Sequence, residues 1–300
     1  MSEPFHGVLP ALLTPFTEDG SAIDIEALAA NVDRLIEAGV GGLVPGGSTG
    51  EFTTLTHVER RLLVETVVKA ADGRVPVVGG TGALSTRETV ELSVHAEQAG
   101  AAAVMIIPPF HDVPSWRELK TFFAAVADAI SIPIMYYNMP GVSGTTLTAG
   151  QLAELPGVTC LKDTGGDATF AQTLIHGDGP TLLNGFDTHT FHALATGVEA
   201  VVWGAASVIP EQCVELHRLL IDDIDLPAAR ELWARLWAVC DVLERVAYTA
   251  GVKAGARLTG FATGPVRGPL LELEEADRAR LAAAIEHATA LDAVLAQPND

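Results

Sequence analysis

Cysteine is scarce: Cys160, Cys213 and Cys240 are the only three in 300 residues. They are odd in number, far apart and lack a CxxC pair, so neither a disulfide framework nor a zinc knuckle follows from them. Cations are also few, 18 Lys and Arg against 38 Asp and Glu, for a net charge of −20. That balance argues against a nucleic-acid partner, which is held by cationic contacts to phosphates. It argues equally against an anionic membrane surface. No apolar run approaches the roughly 18 residues of a membrane-spanning helix. Met1–Pro15 has no basic stretch ahead of an apolar one, so no secretory leader is evident and a cytoplasmic protein is expected. What is abundant is ordinary globular material: 48% hydrophobic and 19% charged residues. A chain of this length buries about 75% of the surface its unfolded form exposes and needs neither disulfide nor metal to hold a core.

Short apolar runs alternate with helical patterns along most of the chain. The expected strands are Val8–Leu13, Gly42–Pro45, Pro76–Gly79, Ala103–Ile107, Pro133–Tyr136, Val158–Lys162, Thr181–Leu183 and Ala200–Trp203. Two of the intervening helices open on capping boxes, Thr56 with Glu59 and Ser115 with Glu118. Parallel strands require crossover helices, and the runs are continuously apolar, as strands buried on both faces are. Eight such units in about 220 residues fit a closed (β/α)8 barrel. A doubly wound sheet would want a GxGxxG fingerprint after its first strand, and none is present. The expected barrel spans residues 1–221. Residues 222–300 read as a helical extension packed on it, with long helices over Leu226–Ala250 and Glu274–Ala296.

The chain has four lysines, and Lys162 alone ends an apolar strand. Period two puts Val158, Cys160 and Lys162 on one face. If that face is the barrel interior, Lys162 points into the C-terminal mouth, where sites on this fold occur. Burial favours a neutral amine, a nucleophile toward ketones that forms Schiff bases. The bland alternatives are a lysine snorkelling at a strand end, or one paired with Asp163. Gly46–Glu51 follows the second strand, and its glycines, with Gly47 at the centre, let backbone N–H groups approach an anion beside the Ser48 and Thr49 hydroxyls. Tyr137 at the end of the fifth strand can shuttle a proton, or merely cap the core. After the seventh strand, Gly185 allows close ligand approach, and Asp187 either accepts a substrate hydroxyl or caps the next helix. His189 and His192 lie three apart with no third ligand in register, so no metal is expected.

The segments Gly47-Ser-Thr-Gly-Glu51, Tyr137-Asn-Met-Pro140, Leu161-Lys-Asp163, Asn184-Gly-Phe-Asp187 and Gly264-Pro-Val-Arg-Gly-Pro-Leu270 together resemble the dihydrodipicolinate synthase / N-acetylneuraminate lyase family of class I aldolases. The resemblance covers nearly the whole chain and implies a (β/α)8 barrel with a C-terminal helical extension. It implies that Lys162 forms an imine with pyruvate or a related 2-keto acid, and that Tyr137 moves protons. Ser48, Thr49 and the loop amides would hold the carboxylate, and Val202 would line the pocket. It implies no metal or organic cofactor, and a homotetramer or homodimer.

Two departures matter. Synthases of the family place an arginine for the second substrate's carboxylate where Val142 stands, and valine cannot form that bidentate pair. A second tyrosine of the family's proton relay, often lent across a subunit interface, falls at His111, which would relay with a different pH dependence; a slip of one place puts Phe110 there and breaks the relay. Thr164, Asp187 and Ser207 stand where hydroxyls of a sugar acid would be met, while Thr188 replaces the glutamate of sialic-acid lyases. The expectation is therefore a Schiff-base lyase or aldolase of pyruvate with a neutral or hydroxylated aldehyde, of 2-keto-3-deoxy sugar acid type. The alternatives are 4-hydroxy-tetrahydrodipicolinate synthase, a dehydratase using the same imine, a non-catalytic 2-keto-acid-binding barrel, and a barrel binding a phosphorylated ligand at the glycine loop.

Overall fold

The computed structural model describes residues 5–290. Seven parallel strands form one sheet: β1 (Gly7–Pro10), β2 (Val78–Gly80), β3 (Ala103–Ile106), β4 (Ile134–Asn138), β5 (Val158–Asp163), β6 (Thr181–Asn184) and β7 (Ala200–Trp203). Their order is β1-β7-β6-β5-β4-β3-β2, so the first two strands stand at opposite edges. The expected strand Gly42–Pro45 lies in that gap but is reduced to two bridging residues. Val44 donates to Pro10 O (3.1 Å) and accepts from Leu12 N–H (3.0 Å). Leu43 donates to Pro76 O (3.0 Å) and accepts from Val78 N–H (2.8 Å). The ring is thereby closed as a (β/α)8 barrel. Pro45 O still accepts from Gly80 N–H (2.8 Å), but Pro45 has no N–H to donate in return and Gly46 turns the chain away at φ +75°, so no further full bridge forms.

Side chains alternate as buried parallel strands require. Leu9, Val78, Met105, Met135, Cys160 and Val202 fill the barrel interior. Val104, Ile106, Ile134, Tyr136 and Leu161 face the surrounding helices. The expected shared face of Val158 with Cys160 and Lys162 is not formed. A bulge opposite Ile134 and Met135 leaves Thr159 unpaired, and Val158 packs outward with the helices. Both expected capping boxes are present, with Thr56 N–H donating to Glu59 at 2.8 Å and Ser115 N–H donating to Glu118 at 2.7 Å.

Beyond the barrel come helices Leu226–Arg245, Tyr248–Leu258 and Glu275–Thr289. The expected single helix over Leu226–Ala250 is interrupted at Val246, whose backbone is extended. No glycine or proline marks the break. Across the break Val246 packs against Gly251, five residues on, where a Cβ would come within 2.8 Å of its side chain. The final expected helix, to Ala296, runs partly outside the described residues. Leu236, Val239, Leu243, Leu281 and Ile285 join the extension to the outer core.

Candidate active site

Lys162, on β5, projects into the barrel mouth and is only 4% exposed. It lies against Gly185 on the loop after β6, where a Cβ would stand 2.7 Å from Lys162 Cε and 2.8 Å from Cγ. Glycine is therefore required at 185 for the lysine to take this path. The amine sits 4.3 Å from the Tyr137 ring centroid. Its chain neighbour Asp163 points to the other face and accepts from Asn138 Nδ2 (2.6 Å) and Gly165 N–H (2.9 Å). The pairing of Lys162 with Asp163 is thus absent, and burial raises the Asp163 carboxyl pKa.

Lys162 opens into a cavity of about 440 Å³. Ser48, Thr49, Tyr137, Thr164, Gly185, Asp187 and Val202 line it with the lysine. Gly47 stands just behind, in a small crevice shared with Ser48 and Tyr137. Thr164 donates its hydroxyl to Asn138 O (2.7 Å), which leaves oxygen lone pairs free. The Ser48 loop is a tight double turn, with Gly50 N–H to Gly47 O (3.1 Å) and Glu51 N–H to Ser48 O (3.0 Å). Glu51 ends it in the left-handed region at φ 57°. That strained residue is held from the helical extension. Lys253 Nζ lies 2.6 Å from Glu51 Oε1, both side chains being fully buried, and Arg267 N–H donates to Oε2 at 2.8 Å. Arg267 in turn pairs with Glu59 at 2.6 Å and stacks over Phe16. The Gly264–Leu270 segment is therefore the latch that fixes the Ser48 loop.

Asp187 does not cap the next helix. Its carboxylate reaches the end of β7, accepting from Ala205 N–H (3.1 Å), from Gly204 N–H (3.4 Å) and from the Tyr248 hydroxyl (3.0 Å). Burial pushes its pKa up to about 7, opposed by the Tyr248 hydrogen bond and reinforced by the charge of Glu244. Gly204 is obligatory beside it, since a Cβ there would stand 1.8 Å from the Tyr248 hydroxyl.

Three expected residues are not brought together with the rest. His111 is an exposed loop residue at φ 99°, outside the cavity. Val142 is 49% exposed on the short helix Pro140–Ser143. Ser207 is buried, but its hydroxyl donates to Ala11 O at 3.1 Å and does not reach the cavity. Sequence reasoning missed Glu244, Tyr248 and Thr249, which close the cavity from the helical extension. Tyr248, one of three tyrosines, carried a weak compositional signal, and Glu244 carried none.

Comparison with known proteins agrees with this architecture. A profile of the dihydrodipicolinate synthetase family matches residues 4–288. The 4-hydroxy-tetrahydrodipicolinate synthase of Methanopyrus kandleri is 40% identical over 281 residues, covering 92% of this chain and 93% of its own. The enzyme of that name from Sorangium cellulosum is 38% identical over 288 residues, covering 94% and 95%. Among solved structures, dihydrodipicolinate synthase DapA-2 of Bacillus anthracis superposes with TM-score 0.88 at 31% identity, covering 99% of both chains. YagE of Escherichia coli K12, a member of the dihydrodipicolinic acid synthase family solved with pyruvate, gives TM-score 0.89 at 31% identity, covering 95% and 99%.

Proposed function

The chain belongs to the dihydrodipicolinate synthetase family of class I, pyruvate-dependent lyases, and from that premise we propose that it joins pyruvate to a neutral or hydroxylated aldehyde, or cleaves the product, through an imine on Lys162. The observation that carries the reading is the content of the cavity: among the described residues Lys162 is the one cation lining it, and Asp187 and Glu244 are its acids. The Lys162 amine adds to the keto carbon of pyruvate, and loss of water leaves a protonated imine. Tyr137, beside the amine, accepts and returns the protons of these steps. The imine draws electrons from C3, a C3 proton departs, and the resulting enamine attacks the aldehyde carbon. The new alkoxide takes a proton, and water then releases a 4-hydroxy-2-keto acid from the lysine. Ser48 and Thr49 hydroxyls hold the pyruvate carboxylate, while Val202 lines the pocket.

A second reading has its own support. The curated relatives are named for condensation that yields 4-hydroxy-tetrahydrodipicolinate, so the partner would be aspartate semialdehyde. Against it, no arginine or second lysine among the described residues lines the cavity to receive that substrate's carboxylate.

The test is borohydride trapping with pyruvate followed by intact and peptide mass spectrometry, with Lys162→Ala as control. An adduct on Lys162 is expected. No adduct with pyruvate or other 2-keto acids, in folded protein, would overturn the imine. Initial rates with pyruvate plus either aspartate semialdehyde or glyceraldehyde then separate the two readings, and a preference for the semialdehyde would favour the synthase.

A further inference from the structure

Glu244 is the penultimate residue of the helix Leu226–Arg245, yet its carboxylate faces the lysine cavity. Thr188 holds it at both oxygens, the backbone N–H donating to Oε1 at 3.0 Å and the hydroxyl to Oε2 at 2.8 Å. The two bonds fix the plane and direction of a side chain that would otherwise sample several rotamers. No cation pairs with it among the described residues, since the adjacent Arg245 turns away to Asp241 at 2.8 Å. A carboxylate has about four acceptor sites, so Thr188 occupies two and leaves two. Beside it Asp187 is already committed to two backbone N–H groups and the Tyr248 hydroxyl. By the same count Asp187 keeps one site and Glu244 two, so Glu244 is the carboxylate of this pair with the greater capacity to accept.

We infer that Glu244, oriented by Thr188, is the specificity-determining residue for the aldehyde partner, accepting hydrogen bonds from its hydroxyl groups and repelling a carboxylate at the same place. The inference rests on the imine reading above and names the substrate class within it. Two hydroxyls on neighbouring carbons present two donors to one carboxylate, whereas an alkyl aldehyde presents none. An aldehyde acid presents a second negative charge in a partly dry cavity, where like charges repel most.

The experiment compares kcat/KM for D-glyceraldehyde, propanal and succinic semialdehyde, each with saturating pyruvate, in wild type, Glu244→Gln and Thr188→Val. Borohydride trapping of pyruvate on each variant reports whether Lys162 is still competent. Wild type is expected to prefer glyceraldehyde over propanal. Glu244→Gln is expected to shrink that preference about tenfold to a hundredfold, the span of one charged hydrogen bond. The same change is expected to raise succinic semialdehyde relative to glyceraldehyde, an opposite shift that a merely structural role would not produce. Thr188→Val is expected to lower the glyceraldehyde preference in the same direction by freeing the carboxylate, and it stands in if Glu244→Gln does not fold. Unchanged ratios in variants that still trap pyruvate would overturn the role of Glu244 while leaving the imine intact. Absence of trapping in the wild type would remove both.

Discussion

Replacing Lys253 by methionine keeps the length of the side chain and removes its charge. The lysine is fully buried, 2.6 Å from Glu51 Oε1 and 2.7 Å from Pro265 O, with its ammonium 4.1 Å from the Phe16 ring centroid. Burial lowers its pKa and the Glu51 hydrogen bond opposes that shift, so the pair is held together against desolvation. Methionine leaves the Glu51 carboxylate in the interior with one remaining hydrogen bond, from Arg267 N–H. The Arg267 guanidinium offers little relief, because it is engaged with Glu59. Breaking a buried pair from one side costs about 3–5 kcal/mol, a large share of the roughly 5–15 kcal/mol that holds a domain folded. The assay is urea unfolding at neutral pH, run as a cycle of Lys253→Met, Glu51→Gln and the double variant. The double variant should recover part of the loss, since neither partner is then left charged alone. The pair also anchors the Ser48–Thr49 loop, so Lys253→Met should raise KM for pyruvate more than it lowers kcat. A destabilisation under about 1 kcal/mol, the range of exposed pairs, with KM unmoved, would refute the latch.

Three further perturbations have defined outcomes. Gly185→Ala forces a methyl to within 2.7 Å of Lys162 Cε; turnover should fall on the order of 100-fold through misplacement of the amine, while thermal unfolding shows a cavity wall still folded, and near-normal turnover would contradict the packing. Tyr137→Phe should slow turnover by about 10²–10⁴-fold yet still allow borohydride trapping on Lys162, and full activity would assign the proton transfers elsewhere. Asp187 has a folded pKa of about 7, above the ordinary 3.8, so the native state binds the extra proton. Its contribution to stability is fully present below about pH 4 and is lost as pH rises through about 7. Asp187→Asn should flatten the fall in urea midpoint between those values, and an unchanged slope would show that the carboxylate is already ionised throughout.

The barrel was legible because its signals are local. Alternating apolar runs, two capping boxes and a lysine at the end of a strand are each contained within a few residues. The strand at Gly42–Pro45 was over-read because a short apolar run does not reveal that Pro45, without an N–H, limits its full bridges to Leu43 and Val44 before Gly46 turns the chain. The shared face of Val158 with Lys162 failed for a similar reason, since a bulge is decided by the partner strand. Lys253 lies in the expected helical extension, and only the fold shows that it meets Glu51 some two hundred positions earlier. Motif positions suggested His111 and Val142, but His111 stands on an exposed loop and Val142 on the short helix Pro140–Ser143, both outside the cavity of one chain. The division follows the chemistry. The imine-forming step proposed above would draw on Lys162 and its neighbours on adjacent strands, whose signature is short and readable. The choice of aldehyde depends on Thr188 and Glu244, 56 positions apart and joined by two hydrogen bonds. A relative can therefore keep every motif of the lysine site and still differ in what it condenses, which is why the name of a 40%-identical enzyme speaks more firmly to the imine than to its partner.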